Sequence, residues 1–323
     1  MKGKGMRKEF IKVRKGITRA RSILVACHRN PDGDAIGSML ALGLGLKKIG
    51  KKVSMLCVDP LPYSYRKLPG ASDVIRHSKS RYDCAIAVDC GKKDVLETAY
   101  KHFENAKTTI EIDHHDSREP FAAIKYVDTE AAAVGEIVYD LLRRLRIAID
   151  KNIAENILTS IIVESNSFRL PSVRPETFRI CADLVDKGVN FNRVTHTVYW
   201  ARSRKMVLLS SLCLSRCVFL KNGALAWSIV KRSDFRTYRG KKEDIDAVAD
   251  DMRAIEGVKI AILFREEEKG KLRVCLRSKH GVNIAALARK YGGGGHFDVA
   301  GCVIKKRGHI QRRLIADAKR LLS

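Results

Sequence analysis

Between residues 22 and 190, short apolar runs alternate with longer stretches of helical periodicity. Short apolar runs predict buried strands, whereas apolar positions that recur every three or four residues predict helices. The predicted strands are 22–27, 52–58, 83–89, 108–113 and 123–127. The predicted helices are 34–49, 131–147, 151–163 and 175–188. This alternation favours an α/β fold in which helices flank a parallel sheet.

The pattern changes after residue 190, because Gly188 and Asn190 end the last of these helices. A basic helical connector is predicted over 191–211. Apolar runs at 212–220 and 224–230 then flank Lys221-Asn222-Gly223, which is a hairpin signal. Further strands are predicted at 257–264 and 271–277, with helices at 243–253, 283–290 and 309–322. We therefore expect one domain over 1–190 and a smaller α/β domain over 212–323.

The composition is that of a globular protein, with 45% hydrophobic and 30% charged residues. The chain contains no apolar run of about 18 residues, so no membrane partner is expected. The segment 1–21 carries nine Lys or Arg residues without an apolar core, which argues against a secretory signal. Phe10, Val13 and Ile17 lie at helical spacing in this segment. They predict a basic amphipathic helix that either packs by one face or contacts nucleic acid.

The net charge of +26 comes from 62 Lys and Arg residues against 36 Asp and Glu residues. Such an excess favours an anionic partner such as nucleic acid, although a uniformly basic proteome would also produce it. The nine Cys residues form no C-x-x-C pair and lie mostly inside apolar runs. They are typical of buried thiols in a reducing compartment, so we expect a cytoplasmic location.

Three predicted strands end in carboxylates or histidines. The carboxyl ends of parallel strands meet at one edge of a sheet, where ligands bind. A group of Asp and His side chains there suits a pair of divalent ions such as manganese. Metal-dependent hydrolysis of a phosphate ester is the leading hypothesis. The residues concerned are His28, Asp32 and Asp34 after the first strand, Asp89 after the third, and Asp113, His114 and His115 after the fourth.

Two of these residues also have a simpler interpretation. Asp34 could cap the following helix, and Asp89 could be an ordinary turn residue. His114 and His115 cannot point the same way on a strand, so one suits a metal and the other a substrate.

Taken together, the residues that follow these strands resemble the motifs of the DHH phosphoesterase superfamily. The matching segments are His28-x-x-Pro31-Asp32-x-Asp34, Val88-Asp89 and Asp113-His114-His115. The C-terminal part resembles the DHH-associated substrate domain of bacterial nanoRNase/pAp phosphatases and archaeal relatives of RecJ. Its matching strings are Leu276-Arg277-Ser278-Lys279, Asn283-Ile284-Ala285, Tyr291-Gly292-Gly293-Gly294-Gly295-His296 and Ala300-Gly301. The resemblance covers nearly the whole chain.

The resemblance implies a DHH catalytic domain, a DHH-associated substrate-binding domain and two manganese ions. It assigns His28, Asp32 and Asp89 to the first ion. It assigns Asp34, Asp89 and His114 to the second ion, so that Asp89 serves both. His115 would face the scissile phosphate as a donor or general acid. Arg277 and His296 would anchor a terminal phosphate, and the glycine run 292–295 would let backbone N–H groups approach it.

Glu164 departs from the family pattern, which usually has Asp at this position, and Asn166 replaces a more usual Gly. Glu164 could bind the second ion from a slightly retracted backbone. It could instead stop short and leave a water in that position, or pair with a local Arg. The second metal site is therefore where this chain differs most from the family.

The implied activity is manganese-dependent hydrolysis of short oligoribonucleotides (nanoRNA), of 3′-phosphoadenosine 5′-phosphate, or of both. Short single-stranded RNA or a nucleotide would be the substrate. The alternatives are a cyclic-dinucleotide phosphodiesterase and a RecJ-like single-strand exonuclease, although 323 residues leave little room for a further strand-binding domain. A non-catalytic nucleic-acid-binding protein is favoured only by Glu164. The oligomeric state stays open, with a homodimer as one alternative.

Overall fold

The computed structural model describes residues 2–116, 118–200, 203–245, 247–279, 281–295 and 297–322, with only the backbone described at 2–6 and 243. Its internal contacts divide the chain into two compact units, Met1–Ala201 and Arg202–Ser323. The predicted domain limits, with a connector over 191–211, stay a prediction. None of the described helices is both long and apolar enough to cross a bilayer.

The first unit contains a six-stranded sheet in which every described pairing is parallel, in the order β3-β2-β1-β4-β5-β6. The α/β class predicted from the sequence is confirmed. The two-residue strand β3 was not predicted, because it is too short to have a recognisable period. The strands are β1 Ser22–Cys27, β2 Lys52–Leu56, β3 Val74–Ile75, β4 Cys84–Val88, β5 Thr108–Asp113 and β6 Ile124–Val127.

Helices cover both faces of this sheet, because alternate residues of each strand point to opposite faces. The α-helices are α1 Lys2–Arg19, α2 Gly33–Lys48, α3 Tyr100–Glu104, α4 Val134–Arg144, α5 Lys151–Glu164, α6 Pro175–Asp186 and α7 Phe191–Thr195. In β1, Ile23 and Val25 pack into a large core with α1, α2, α4 and α5, whereas Leu24 and Ala26 pack into a second core with α3. The 3₁₀ turns are Tyr63–Tyr65, Ala71–Asp73 and Lys93–Ala99, and His196–Trp200 is a π-helical turn.

The second unit contains a mixed sheet in the order β11-β12-β10-β9-β8-β7, in which β8 and β9 pair in parallel and the other neighbours are antiparallel. The strands are β7 Val218–Leu220, β8 Leu225–Val230, β9 Ile260–Glu266, β10 Lys271–Ser278, β11 Gly294–Gly295 and β12 Val299–Lys305. The helices are α8 Arg204–Ser215, α9 Arg232–Thr237, α10 Val248–Ala254, α11 Ile284–Lys290 and α12 Gly308–Arg320, with a 3₁₀ turn at Lys242–Ile245.

The predicted hairpin is present between β7 and β8, but the strand predicted from residue 212 is wrong at its start. Residues 212–215 belong to α8, whose Leu209 and Cys213 are buried one turn apart. An apolar run of this kind fits a buried helix as well as a strand. Lys221 and Asn222 adopt left-handed φ angles of 53° and 51°, as a tight hairpin turn requires.

Helices α2 and α5 pack closely because Gly37 has no side chain. A Cβ atom built on Gly37 would lie 2.4 Å from the carbonyl oxygen of Asn156 and 3.0 Å from the amide nitrogen of Ser160. Both are backbone atoms of α5, so the contact could be relieved only by moving the helices apart. Asp34 lies one turn before Gly37 on the same helix, so this approach also sets its position.

We expect Gly37→Ala to lower the free energy of unfolding by about 1–3 kcal/mol, because overpacking against backbone cannot relax locally. Gly43→Ala is the matched control in the same helix, since its new Cβ would meet only the flexible end of Met55. Both variants gain the same helix propensity. Urea unfolding measures the difference, and equal stability of the two variants would contradict this account of the packing.

Candidate metal centre

Three neighbouring strands bring their carboxyl ends to one edge of the first sheet. His28 follows β1, Asp89 follows β4, and Asp113 ends β5 immediately before the two histidines. Because β4 lies between β1 and β5, Asp89 stands between the other two strand ends. It has a left-handed φ of 56°, a conformation that costs a non-glycine residue free energy and is concentrated at functional sites.

The first turn of α2 adds two aspartates to this edge. Asp32 is the N-cap of α2, and its Oδ1 atom accepts hydrogen bonds of 3.0 Å from the amides of Asp34 and Ala35. The capping residue is therefore Asp32 and not Asp34. Asp34 is fully buried, and its Oδ1 atom accepts hydrogen bonds from the hydroxyls of Ser160, at 2.6 Å, and Ser38, at 3.0 Å.

His28, Asp32 and Asp89 form one group that could hold a metal ion. The Nε2 atom of His28 lies 3.9 Å from Oδ1 of Asp32 and 3.5 Å from Oδ2 of Asp89. The Nδ1 atom of His28 lies 2.8 Å from the carbonyl oxygen of Arg29, to which it donates a hydrogen bond. This bond selects the tautomer in which Nε2 is free to bind a metal.

Asp34, His114 and Glu164 form a second such group. The Nε2 atom of His114 lies 3.8 Å from Oδ2 of Asp34 and 3.6 Å from Oε1 of Glu164. Its Nδ1 atom donates to the carbonyl oxygen of Ala131 at 3.0 Å, so Nε2 again faces the carboxylates. Asp89 faces both groups, because its other oxygen, Oδ1, lies 4.0 Å from the same Nε2 atom.

The turn after Glu164 directs its side chain toward this group. Asn166, Ser167 and Phe168 have consecutive left-handed φ angles of 48°, 56° and 63°, which end α5 sharply. The guanidinium of Arg169 donates two hydrogen bonds of 2.7 Å to Asn166, at its carbonyl oxygen and at Oδ1. Arg169 is therefore paired with Asn166 and not with Glu164. The carboxylate of Glu164 instead lies 3.6 Å from Nε2 of His114.

His115 is held by the last residue of β5. Its Nδ1 atom donates a 2.7 Å hydrogen bond to Oδ1 of Asp113 and lies 3.6 Å from Oδ1 of Asp89. With His114 and Asp89, it forms a third group that could bind an ion. The rings of the two histidines meet edge to face, with centroids 5.2 Å apart, and each ring has one nitrogen within 4.0 Å of Oδ1 of Asp89.

Several carboxylates lie close together in the site, and this shifts the pKa values of its side chains. Burial raises the pKa of Asp34 to about 7, with the charge of Asp89 adding to the effect. Burial and the nearby aspartates also raise the pKa of Glu164 well above its usual range. Burial lowers the pKa of His28, but the neighbouring carboxylates of Asp89 and Asp32 together outweigh this and raise the pKa to about 10. The carboxylates of the centre therefore attract positive charge, which either a proton on an imidazole or a divalent cation can supply.

The residues fit divalent cations on two grounds. The buried Nε2 atom of His114 has no hydrogen-bond partner among the described residues, which is costly unless another group binds it. Ligands about 2.1 Å from an octahedral ion lie about 3.0 Å apart as neighbours and about 4.2 Å apart as opposites. The separations of 3.5–4.0 Å around His28 and His114 lie between these two values, so shifts of no more than about 0.6 Å would bring the atoms to the nearer one.

In the second unit, the predicted phosphate anchor has firm structural supports. Arg277 lies on β10, where its Nε atom donates to Asp250 at 3.0 Å and its Nη1 atom donates to the carbonyl oxygen of Leu276 at 3.2 Å. These two hydrogen bonds fix the orientation of the guanidinium and do not involve its Nη2 atom. His296 lies outside the described residues, so the predicted pair is described at Arg277 alone.

The glycine run has a steric role in the same unit. The amides of Gly292 and Gly293 donate to the carbonyl oxygens of Arg289 and Ala288, closing the end of α11. Gly294 and Gly295 pair with β12. A Cβ atom at Gly293 would lie 2.1 Å from the carbonyl oxygen of Gly301. Close approach of two backbones therefore requires glycine here, in addition to the anion-binding role predicted from the sequence.

Sequence reasoning missed the residues that support the ligands from other elements. Ser160 binds Asp34 from a position 126 residues away. The amide of Val134, at the start of α4, donates to Oδ2 of Asp34 at 2.9 Å. No local pattern marks a serine inside a helix or a backbone amide as part of a site, so the sequence carried no signal for either.

Comparisons with known proteins agree with this architecture. The model of the DHH family N-terminal domain matches residues 22–162, and that of the DHHA1 domain matches residues 233–323. The chain is 31% identical to the bifunctional oligoribonuclease and PAP phosphatase NrnA of Thermus thermophilus over 286 residues, covering 88% of this chain and 84% of that protein.

Two solved structures share the fold. An exopolyphosphatase-related protein from Bacteroides fragilis superimposes with a TM-score of 0.91 at 23% identity, covering 97% of this chain and 95% of that one. RecJ from Thermus thermophilus in complex with Mn²⁺ gives a TM-score of 0.58 at 15% identity, covering 98% of this chain but 55% of that one. With both domain models matched in order and a relative at 31% identity, the chain belongs to the DHH family and carries a DHHA1 domain.

Proposed function

We propose that this protein is a phosphoesterase that uses two divalent metal ions, manganese in preference, to hydrolyse short oligoribonucleotides, 3′-phosphoadenosine 5′-phosphate, or both. The observation that carries the proposal is the buried Nε2 atom of His114, which faces three carboxylates and has no hydrogen-bond partner among the described residues. Carboxylate and imidazole ligands at one edge suit manganese. The substrates are those in the name of the relative that is 31% identical.

In this proposal the ligands divide between two ions as the family resemblance implies. His28, Asp32 and Asp89 hold one ion, and Asp34, Asp89, His114 and Glu164 hold the other. Asp89 serves both because its two oxygens face different histidines. When bound, the two ions supply the activation of water and the neutralisation of charge that develops on the phosphate.

His115 acts on the substrate, with Asp113 as its support. The hydrogen bond from Nδ1 to Asp113 orients the imidazole, and in this proposal the ring faces the scissile phosphate. Burial lowers the pKa of His115, but the Asp113 hydrogen bond and the charge of Asp89 outweigh it and raise the pKa. A proton held on this ring is available to a phosphate oxygen or to the leaving group.

The second unit supplies the preference for short substrates. In this proposal the side chains of Arg277 and His296 bind the terminal phosphate. The amides of Gly292 and Gly293 already donate to backbone carbonyls, so these two glycines act by shaping the loop. A single-strand exonuclease acting on longer strands is the main alternative. It has less support, because the RecJ structures are only 13–15% identical to this chain, whereas the relative at 31% identity is named as an oligoribonuclease and PAP phosphatase. A cyclic-dinucleotide phosphodiesterase is the other alternative.

A substrate panel tests the activity. With manganese, we expect labelled RNAs of two to five nucleotides to be cleaved to mononucleotides much faster than a twenty-nucleotide RNA or a cyclic dinucleotide. Product separation on a gel or column measures the rates. The control is the same protein treated with a chelator and then resupplied with manganese, which should lose and regain activity. Failure to cleave any short RNA or 3′-phosphoadenosine 5′-phosphate with metal bound would refute the proposal.

Substitutions of the two adjacent histidines should separate metal binding from proton transfer. We expect His115→Ala to lower kcat by about 10²–10⁴-fold, the usual contribution of a general acid, while manganese content stays near wild type. His114→Ala should lower manganese content as well as kcat. Elemental analysis and steady-state kinetics on the same preparations provide the comparison. Loss of manganese in both variants would instead make His115 a metal ligand.

Shortening the side chain of Glu164 should weaken the binding of the second ion. Glu164→Asp withdraws the carboxylate by one methylene group from its position 3.6 Å from His114. We expect the affinity for manganese to fall by about 10–100-fold, as when the surroundings of metal ligands are altered. Activity should recover in excess manganese, as metal titrations of the rate would show. Unchanged affinity in Glu164→Asp, together with unchanged affinity in Glu164→Gln, would exclude Glu164 from the centre.

A further inference from the structure

Two short helical turns form an aromatic rim beside the metal centre. We use this name for Tyr63 and Tyr65, on the 3₁₀ turn Tyr63–Tyr65, together with Tyr199 and Trp200, on the π-helical turn His196–Trp200. The two turns contact each other although more than 130 residues separate them in the sequence. Isolated π-helical turns are rare and occur frequently at functional sites.

Contacts of the inner rim residues place the rim next to the candidate ligands. A Cβ atom built on Gly33 would lie 3.0 Å from Cζ of Tyr65, and Gly33 is the residue between Asp32 and Asp34. The hydroxyl of Tyr199 donates to the carbonyl oxygen of Ile162 at 3.3 Å, two residues before Glu164. The rim therefore adjoins both α2 and the end of α5, the elements that carry three of the carboxylates.

The outer rim residues present aromatic surface to solvent. Tyr63 is 71% exposed and Trp200 is 78% exposed, whereas large aromatic side chains are ordinarily well buried. The ring of His196 packs edge to face against Trp200, with centroids 5.5 Å apart, and leaves most of the indole uncovered. The rings of Tyr63 and Trp200 contribute little to the core of the unit. Their exposure therefore favours binding of a ligand that has a flat apolar face.

Positive charge accompanies the aromatic residues. Arg66 and Lys67 directly follow Tyr65 and are exposed, and the Nε atom of Arg66 donates to the carbonyl oxygen of Leu61 at 2.8 Å. Aromatic residues interleaved with basic ones are typical of surfaces that bind single-stranded nucleic acid, on which bases stack and phosphates meet cations. A lipid or a protein segment would require a broader apolar surface than these isolated rings.

We propose that the aromatic rim binds the nucleobase of the nucleotide whose phosphate is held at the metal centre, with Trp200 and Tyr63 as the stacking surfaces. The proposal rests on the proposed function and extends it to base recognition. Every base has a π face, so such a site accepts all four bases and still distinguishes a nucleotide from a bare sugar phosphate.

Equilibrium binding tests the rim without catalysis. The chain has two tryptophans, Trp200 and Trp227, so the fluorescence difference between wild type and Trp200→Phe reports on Trp200. We expect adenosine 5′-monophosphate to quench the Trp200 signal and ribose 5-phosphate, which lacks the base, to leave it unchanged. Equal quenching by both compounds would overturn the proposal. So would the absence of quenching at concentrations of adenosine 5′-monophosphate that inhibit hydrolysis.

Kinetics of rim variants provide the second readout. We expect Trp200→Leu to raise KM for a dinucleotide by about 5–100-fold with little change in kcat, since stacking contributes to binding. Trp200→Phe should retain most of the affinity because it keeps a ring. Phe191→Leu, which alters an exposed ring outside the rim, is the matched control. A KM for Trp200→Leu equal to that of wild type would refute stacking.

The two proposals fail in different ways. If no short RNA is hydrolysed but adenosine 5′-monophosphate still quenches Trp200, the proposed activity is wrong and the nucleobase site stands. If short RNAs are hydrolysed but ribose 5-phosphate quenches as strongly as the nucleotide, the activity stands and the rim does not recognise a base.

Discussion

Mutual repulsion among carboxylates at one sheet edge is the constraint on which the rest of this structure depends. Two like charges 4 Å apart repel by about 4 kcal/mol at an effective dielectric constant of about 20, so such a cluster needs compensating positive charge. Histidines, helix amino ends and backbone amides are all directed at the edge. Amides at the amino end of α2 donate to Asp32, and the amide of Val134 at the amino end of α4 donates to Asp34, so both helix ends contribute partial positive charge to the edge. The raised pKa of His28, about 10, expresses the same compensation.

The same constraint explains features of the fold that appear unrelated to the site. Ser160 can donate to Asp34 only because α2 and α5 approach closely at Gly37. His28 and His114 each have one ring nitrogen bound to a backbone carbonyl, at Arg29 and at Ala131, so loop conformation sets the tautomer of each. Left-handed backbone occurs at Asp89 and at Asn166, two residues after Glu164. Helix packing and backbone strain in the first unit are thus concentrated around the candidate ligands.

Packing in the second unit depends on glycine. Gly292 and Gly293 close α11, and Gly293 and Gly295 lie against β12 at distances that exclude a Cβ atom. A segment that is so tightly held presents its remaining polar groups in fixed directions, which is what a phosphate anchor requires. On β10, Asp250 holds Arg277 in the same way. The proposed division of labour therefore has hydrolysis in the first unit and substrate length selection in the second, with base stacking at the rim of the first.

The sequence by itself determined the fold class, most of the longer strands and helices, and most of the acidic and histidine residues at the sheet edge, because these depend on local periodicity and on strand ends that parallel pairing brings together. It did not predict α3, α9 or β12. Local pattern was insufficient at residues 212–215, where an apolar run belongs to a buried helix. Only the tertiary structure decided that Ser160 supports Asp34, that Glu164 reaches His114, and that the turns at 63–65 and 196–200 meet. These contacts join residues that are distant in the chain, and their geometry depends on how helices pack, which no local spacing encodes.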